Sequence, residues 1–296
     1  MVVIKMNKNW HFKGIFLAFL SAILYSLNVP IIKHYLNFID EHSILFITYL
    51  GSFLGMLLII LFKKKKTKLI PAKKDAVNIL GVVVCEICAS FTIAKSLTIL
   101  NASTVSLFIV FEVAFTAIFS IYVFKQSKLS RKLLLAIIFV TLGGIFLSLN
   151  GLFNIKSYSA VLLVLLTTIL WGLENTLTAK TSQNNALILV FYKCLGVALI
   201  NYLLIFKTTQ VFDLIKDYYF LMIIGFFTYG VSILCFALGT KYSDASKTAI
   251  IFAFSPFIST LLSIVLFKES VTVWFILSFI LMIIGIYFSI ADSRKN

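Results

Sequence analysis

The sequence predicts an all-α polytopic membrane protein: ten transmembrane helices arranged as two inverted five-helix repeats. Composition, one repeated segment and the placement of basic residues carry that prediction. Of 296 residues, 61% are hydrophobic and only 12% charged, with a mean hydropathy of +1.06. A soluble domain is about half apolar, with roughly a quarter of its residues charged. The apolar runs are about 20 residues long, enough to cross a bilayer, and lack the ~10-residue alternation of a membrane barrel.

The repeat is read directly. Residues 101–126, NASTVSLFIVFEVAFTAIFSIYVFKQ, return at 244–269 as DASKTAIIFAFSPFISTLLSIVLFKE. Asn101 meets Asp244, Ala102-Ser103 meets Ala245-Ser246, Phe111 meets Phe254, and Phe124-Lys125 meets Phe267-Lys268. An offset near half the chain length implies two copies of one folding unit, here 1–150 and 151–296.

The elements follow in order. The basic N-terminus, MVVIKMNKNWHFK, precedes an apolar run that is too long for a signal-peptide core and has no small-residue cleavage site. It is expected to stay as the first span, 13–32. Within it Asn28 stands just before Pro30, and a proline there removes an amide bond and predicts a bend. Spans 43–62 and 76–97 flank a lysine-rich turn. The third span holds Glu86 and the pair Cys85 and Cys88, which without histidine partners reads as packing rather than a metal or redox site. Lys95, near its end, can snorkel to the interface. Span 102–124 carries Glu112, and 132–150 closes the first half. Spans 158–179 and 185–206 bring Glu174 and Lys193. Span 219–240 has Tyr229 in the place of Glu86. Span 245–267 has Ser255 in the place of Glu112, followed by Pro256 as a second predicted bend, and 271–290 completes the set.

Orientation comes from Lys and Arg. Lys5, Lys8 and Lys13, the cluster Lys63–Lys66 with Lys68, Lys73 and Lys74, and Lys125, Lys128, Arg131 and Lys132 mark alternate ends of the spans. Both termini are therefore expected in the cytoplasm of a multi-pass protein of the cell (cytoplasmic or inner) membrane. An odd unit of five spans, repeated once, inverts the second copy. The net charge of +15 is loop charge facing lipid headgroups, which argues against nucleic acid as a partner.

With Ala102-Ser103, Phe124-Lys125-Gln126, Ala245-Ser246, Pro256 and Phe267-Lys268-Glu269 in place, the chain resembles the drug/metabolite transporter superfamily, EamA type. The resemblance covers nearly the whole chain. It departs from the usual pattern in having Val113 where a second proline is common, and Lys-Gln and Lys-Glu where Gly-Glu often ends the fourth helix. The resemblance implies a secondary transporter with a cavity between the repeats, lined by spans one, three, four, six, eight and nine. It implies export as the direction, and leaves the substrate open.

Ionisable groups at mid-bilayer cost about 2.5–3.5 kcal/mol on insertion scales, so each needs a reason. Glu86 and Glu112 lie equally far from the turn near residue 99 and are expected at one depth, where two ionised carboxylates would repel. That suits a proton-coupled carrier or an amine site; the alternative is that each faces its own hydrogen-bond partner. Glu174 and Lys193 also share a depth, and either pair structurally or serve a substrate. The candidate substrate- and proton-binding set is thus Glu86, Glu112, Glu174, Lys193, Asn28, Tyr229 and Ser255, with Pro30 and Pro256 as bends. Acidic groups with one lysine favour an amino acid or amine over a phosphate ester. No nucleotide-binding loop or catalytic motif is present, so no enzyme activity, cofactor or metal is expected. The competing readings are an uncoupled facilitator or channel, and a non-transporting membrane sensor or assembly protein. The partners expected are a small-molecule substrate, the lipid bilayer and, as a coupling ion, protons; the sequence leaves the oligomeric state open.

Overall fold

The computed structural model describes residues 8–63, 69–124, 130–148, 155–207, 209–242, 248, 251–252 and 254–293. Its regular elements are all helical. α1 (Lys8–Tyr25) and α2 (Asn28–Tyr35) form one span with a break at Ser26-Leu27. α3 (Glu41–Phe62) starts at Asp40, whose Oδ1 accepts from the amides of His42 and Ser43 at 2.9 and 3.0 Å. That satisfies two of the donors a helix start leaves open. α4 is Lys73–Leu97. The next span, Ala102–Val123, is assembled from α5 (Ala102–Phe108), α6 (Phe111–Ile118) and a π-helical turn, Phe119–Val123. α7 is Arg131–Ser148.

α8 (Ile155–Ile205) holds two spans, Tyr158–Ser182 and Asn185–Ile205, divided where Asn185 leaves helical geometry. The short α9 (Val211–Asp217) leads to α10 (Tyr219–Gly225), a π-helical stretch Phe226–Val231 and α11 (Ser232–Tyr242), which together form one span. α12 (Ser255–Phe267) and α13 (Val273–Ser293) follow. Among the described residues, seven helical spans are long and apolar enough to cross a membrane, with Ser255–Phe267 and Val273–Gly285 as shorter apolar helices.

Lipid is as apolar as leucine, so burial of apolar surface cannot by itself hold such helices together; close backbone approach and interhelical hydrogen bonds must. Gly51 packs on the backbone of Met222, and Gly225 reciprocally on the backbone of Thr48, so α3 and α10 cross with no side chain between them. Ser52 Oγ seals that crossing by donating to the Gly225 carbonyl at 2.7 Å. Thr92 and Thr167 hydroxyls meet at 2.7 Å between α4 and α8. Ser21 and Ser232 meet at 3.3 Å between α1 and α11. Ser106 and Ser259 join α5 to α12 at 2.8 Å. Ser278 Oγ donates to the Gly143 carbonyl at 2.7 Å, tying α13 to α7.

One end of the bundle is closed by cross-capping. Glu269, just past α12, accepts from the amides of Ala102 and Ser103 at the start of α5, at 3.0 and 3.1 Å. Lys33, in α2, donates to the carbonyls of Leu97 and Leu100 at the end of α4, at 2.7 and 3.0 Å. A carboxylate at a helix start and an ammonium at a helix end both suit the backbone dipole. Lys95, exposed as its place near a span end suggests, pairs with Glu41 at 3.1 Å.

Candidate functional site

Two polar clusters lie inside the helical bundle, and residues 174 and 175 of α8 belong one to each. Neighbouring residues on a helix point about 100° apart, so Glu174 and Asn175 face different surroundings. On Glu174's side, Lys193 Nζ donates to Glu174 Oε1 at 2.8 Å and lies 3.3 Å from Glu86 Oε2. Trp171 Nε1 donates to Glu86 Oε2 at 2.9 Å, and the Tyr49 hydroxyl donates to Glu86 Oε1. Glu86 is fully buried, and Lys193 and Glu174 are 2% and 4% exposed. One ammonium thus serves two carboxylates contributed by α4 and α8, the arrangement that makes buried charge tolerable. Glu174 Oε2 has no hydrogen-bond donor among the described residues.

On Asn175's side lies a cavity. Its polar wall is Glu112, Thr116, Asn175 and Ser255; its apolar wall is Tyr25, Ile109, Val113, Phe252 and Pro256. Asn175 Nδ2 donates to Glu112 Oε1 at 2.5 Å and reaches Thr116 Oγ1 at 3.4 Å. Tyr25 stands between cluster and cavity. Its ring lies edge-on to Trp171 at 5.9 Å and to Tyr229 at 6.2 Å, and tilted against Phe252 at 5.0 Å. Tyr229 in turn stacks at 4.3 Å on Tyr49, which holds Glu86.

Backbone irregularities mark the cavity. Just before Glu112 the helix tightens: the amides of Glu112 and Val113 bond to the carbonyls of Ile109 and Val110, three residues back. The amide of Phe254 likewise bonds to Ile251, immediately ahead of Ser255 and Pro256. Tyr229 sits in the π-helical stretch Phe226–Val231. Such departures from α geometry are common where a helix serves a site.

The structure redistributes the residues expected from sequence. Glu86 and Glu112 do not share a site. Each has its own partners, Lys193, Tyr49 and Trp171 for the first and Asn175 for the second. Depth alone cannot report which face of a helix a side chain occupies. Glu174 and Lys193 meet each other, and Ser255 lines the same cavity as Glu112. Asn28 is buried without a partner for its Nδ2 and is not part of the cavity wall among the described residues. The predicted bend at Pro30 is resolved as the break at Ser26-Leu27, one turn ahead of the proline, while Pro256 lies in the first turn of α12 rather than within a longer helix. Lys247, eight residues ahead of Ser255, lies outside the described residues. Tyr25, Tyr49, Trp171, Asn175 and Phe252 stand at the two clusters but are absent from the set expected from sequence. For Asn175 a signal existed, a second polar side chain beside Glu174 in an apolar run; the aromatics gave none, since 30 phenylalanines and 12 tyrosines mask the few that matter.

A family model described as the EamA-like transporter family matches residues 12–149 and, a second time, residues 158–291. The chain belongs to the EamA-like transporter family. It is a multi-pass membrane transporter of the drug/metabolite superfamily, and its cavity draws Glu112, Thr116 and Tyr25 from the first matched segment and Asn175, Phe252 and Ser255 from the second. A crystal structure of another protein, 12% identical in sequence, superposes with a TM-score of 0.74 over 95% of this chain and 97% of that chain. At that identity the likeness speaks for the fold alone. The search of curated proteins gives no match.

Proposed function

We propose that this EamA-like transporter is a secondary carrier, working by alternating access in the cytoplasmic or inner membrane, that exports a small polar metabolite bearing an amino group. Amino acids and amines are the two substrate classes considered. The observation that carries the reading is the cavity between the two matched segments with, among the described residues, a single carboxylate, Glu112, in its wall. A buried carboxylate held by one neutral amide donor is suited to exchange a proton for a cationic group. Glu86 is the less favoured proton carrier, because Lys193 and two further donors already hold it.

Two inverted five-helix repeats, 1–150 and 151–296, with both termini cytoplasmic, are part of this reading. The doubled family match supports it. So do the crossings: the third-span helix α4 meets the first half of α8 through Thr92 and Thr167, and α11 meets α1 through Ser232 and Ser21. Each contact joins the first span of one repeat to the third of the other.

The test is transport in proteoliposomes with an imposed pH gradient. A coupled carrier accumulates substrate above equilibrium, and Glu112→Gln abolishes the dependence on the gradient while leaving folding intact. Uptake that never exceeds equilibrium identifies a facilitator or channel instead. Unchanged gradient-driven flux in Glu112→Gln removes this residue from coupling.

A further inference from the structure

Resting on the reading of a carrier for amino-bearing solutes, we propose that the Glu112 cavity selects monocationic amines and rejects amino acids. The two substrate classes differ by one carboxylate, and the cavity wall decides how each would be received. Among the described residues that line it, Glu112 is the one charged side chain, and none is basic. A substrate ammonium would find a carboxylate in hydrogen-bonding company with Asn175 and, in the same wall, the Ser255 and Thr116 hydroxyls. Two ring systems, Tyr25 and Phe252, stand 5.0 Å apart and tilted by 56° in the same wall. Aromatic faces attract a cation and gain little from an anion.

A substrate carboxylate would be stripped of water with no cation to replace it, which is costly in a membrane interior. The nearby lysine does not serve. Lys193 is 2% exposed, absent from the cavity wall and engaged at 2.8 and 3.3 Å by Glu174 and Glu86. Recruiting it would leave both carboxylates uncompensated.

Two matched series test the selectivity on the purified full-length protein: isobutylamine, valine and isobutanol, and phenethylamine, phenylalanine and 2-phenylethanol. Thermal-shift titration reads binding, and counterflow in proteoliposomes reads transport. The expected result is that at least one amine stabilises the protein and is exchanged, while its amino acid and alcohol partners bind at least tenfold more weakly (about 1.4 kcal/mol). Glu112→Gln should weaken the amine roughly tenfold to a hundredfold, and Glu112→Asp should keep the order of preference. An amino acid or alcohol that binds as well as its amine overturns the inference, and so does the absence of amine binding. The wild-type comparison decides even if a variant fails to fold. Valine or phenylalanine exchanged without either amine removes this selectivity and leaves the carrier reading standing; no exchange of any member removes both.

Discussion

Lys193 shows what one side chain does in an apolar setting. Its ammonium lies between Glu174 and Glu86 with almost no solvent contact. Breaking a buried ion pair by removing one partner typically costs about 3–5 kcal/mol, because the other charge is left behind. Lys193→Met is therefore expected to lower the melting temperature sharply in detergent. The triple variant Lys193→Met, Glu86→Gln, Glu174→Gln should recover most of that loss, and a triple variant no more stable than the single one would refute the account. This chemistry was half legible in the sequence. Four ionisable residues in apolar spans stood out, and the matching depth of Glu174 and Lys193 anticipated that they could meet. The role of Tyr49 and Trp171 in holding Glu86 was not legible, since no pattern separates a tyrosine that donates to a carboxylate from one that only packs.

At the level of the helix, the crossing of α3 and α10 depends on two glycines placed against facing backbone. A Cβ on Gly225 would collide with the main chain of Thr48, which cannot rotate away. Gly225→Ala is expected to push the helices apart, break the Ser52 hydrogen bond to the Gly225 carbonyl and cost about 1–3 kcal/mol, read as a lower melting temperature. Gly81→Ala is the control: its Cβ would meet only a terminal methyl of Leu177, at 3.0 Å, and should be far milder. Helix positions were readable because apolar runs of bilayer length have few alternatives. The interruptions were not. Proline pointed to a bend at residue 30 and gave Pro256, yet the break ahead of Glu112 has no proline at all; there Phe111–Ile118 packs against α8 and α7. The π-helical stretch around Tyr229 is likewise set by tertiary fit rather than by composition.

Across the whole molecule, the cross-capped end ties a helix of one matched segment to a helix of the other. Glu269, at the end of the neighbouring α12, holds the start of α5 with both carboxylate oxygens on main-chain amides. In the alternating-access reading proposed above, such contacts break in one state and form in the other. Glu269→Ala is expected to open this end. With Ser103→Cys as reporter, labelling by a membrane-impermeant maleimide should rise roughly tenfold or more, as the loss of a charge-assisted bond worth about 1.5–3 kcal/mol implies. Equal labelling with and without Glu269 would show that the contact has no part in closure. The doubled segment anticipated that one family model would match both halves of the chain, because residues 101–126 and 244–269 preserve the small and polar ends of the repeat. That Glu269 of one copy grips Ala102-Ser103 of the other required coordinates, since the repeat relates copies and says nothing of which touch.

The ion cluster also bears on how the chain is made. Synthesis runs from the N-terminus, so Glu86 and Glu174 enter the membrane before Lys193 follows on the next span. A lone lysine at that depth resists partitioning into lipid. Here it arrives to find both counter-charges already in place, so the order of the genetic message spares the ribosome-bound chain an unpaired cation.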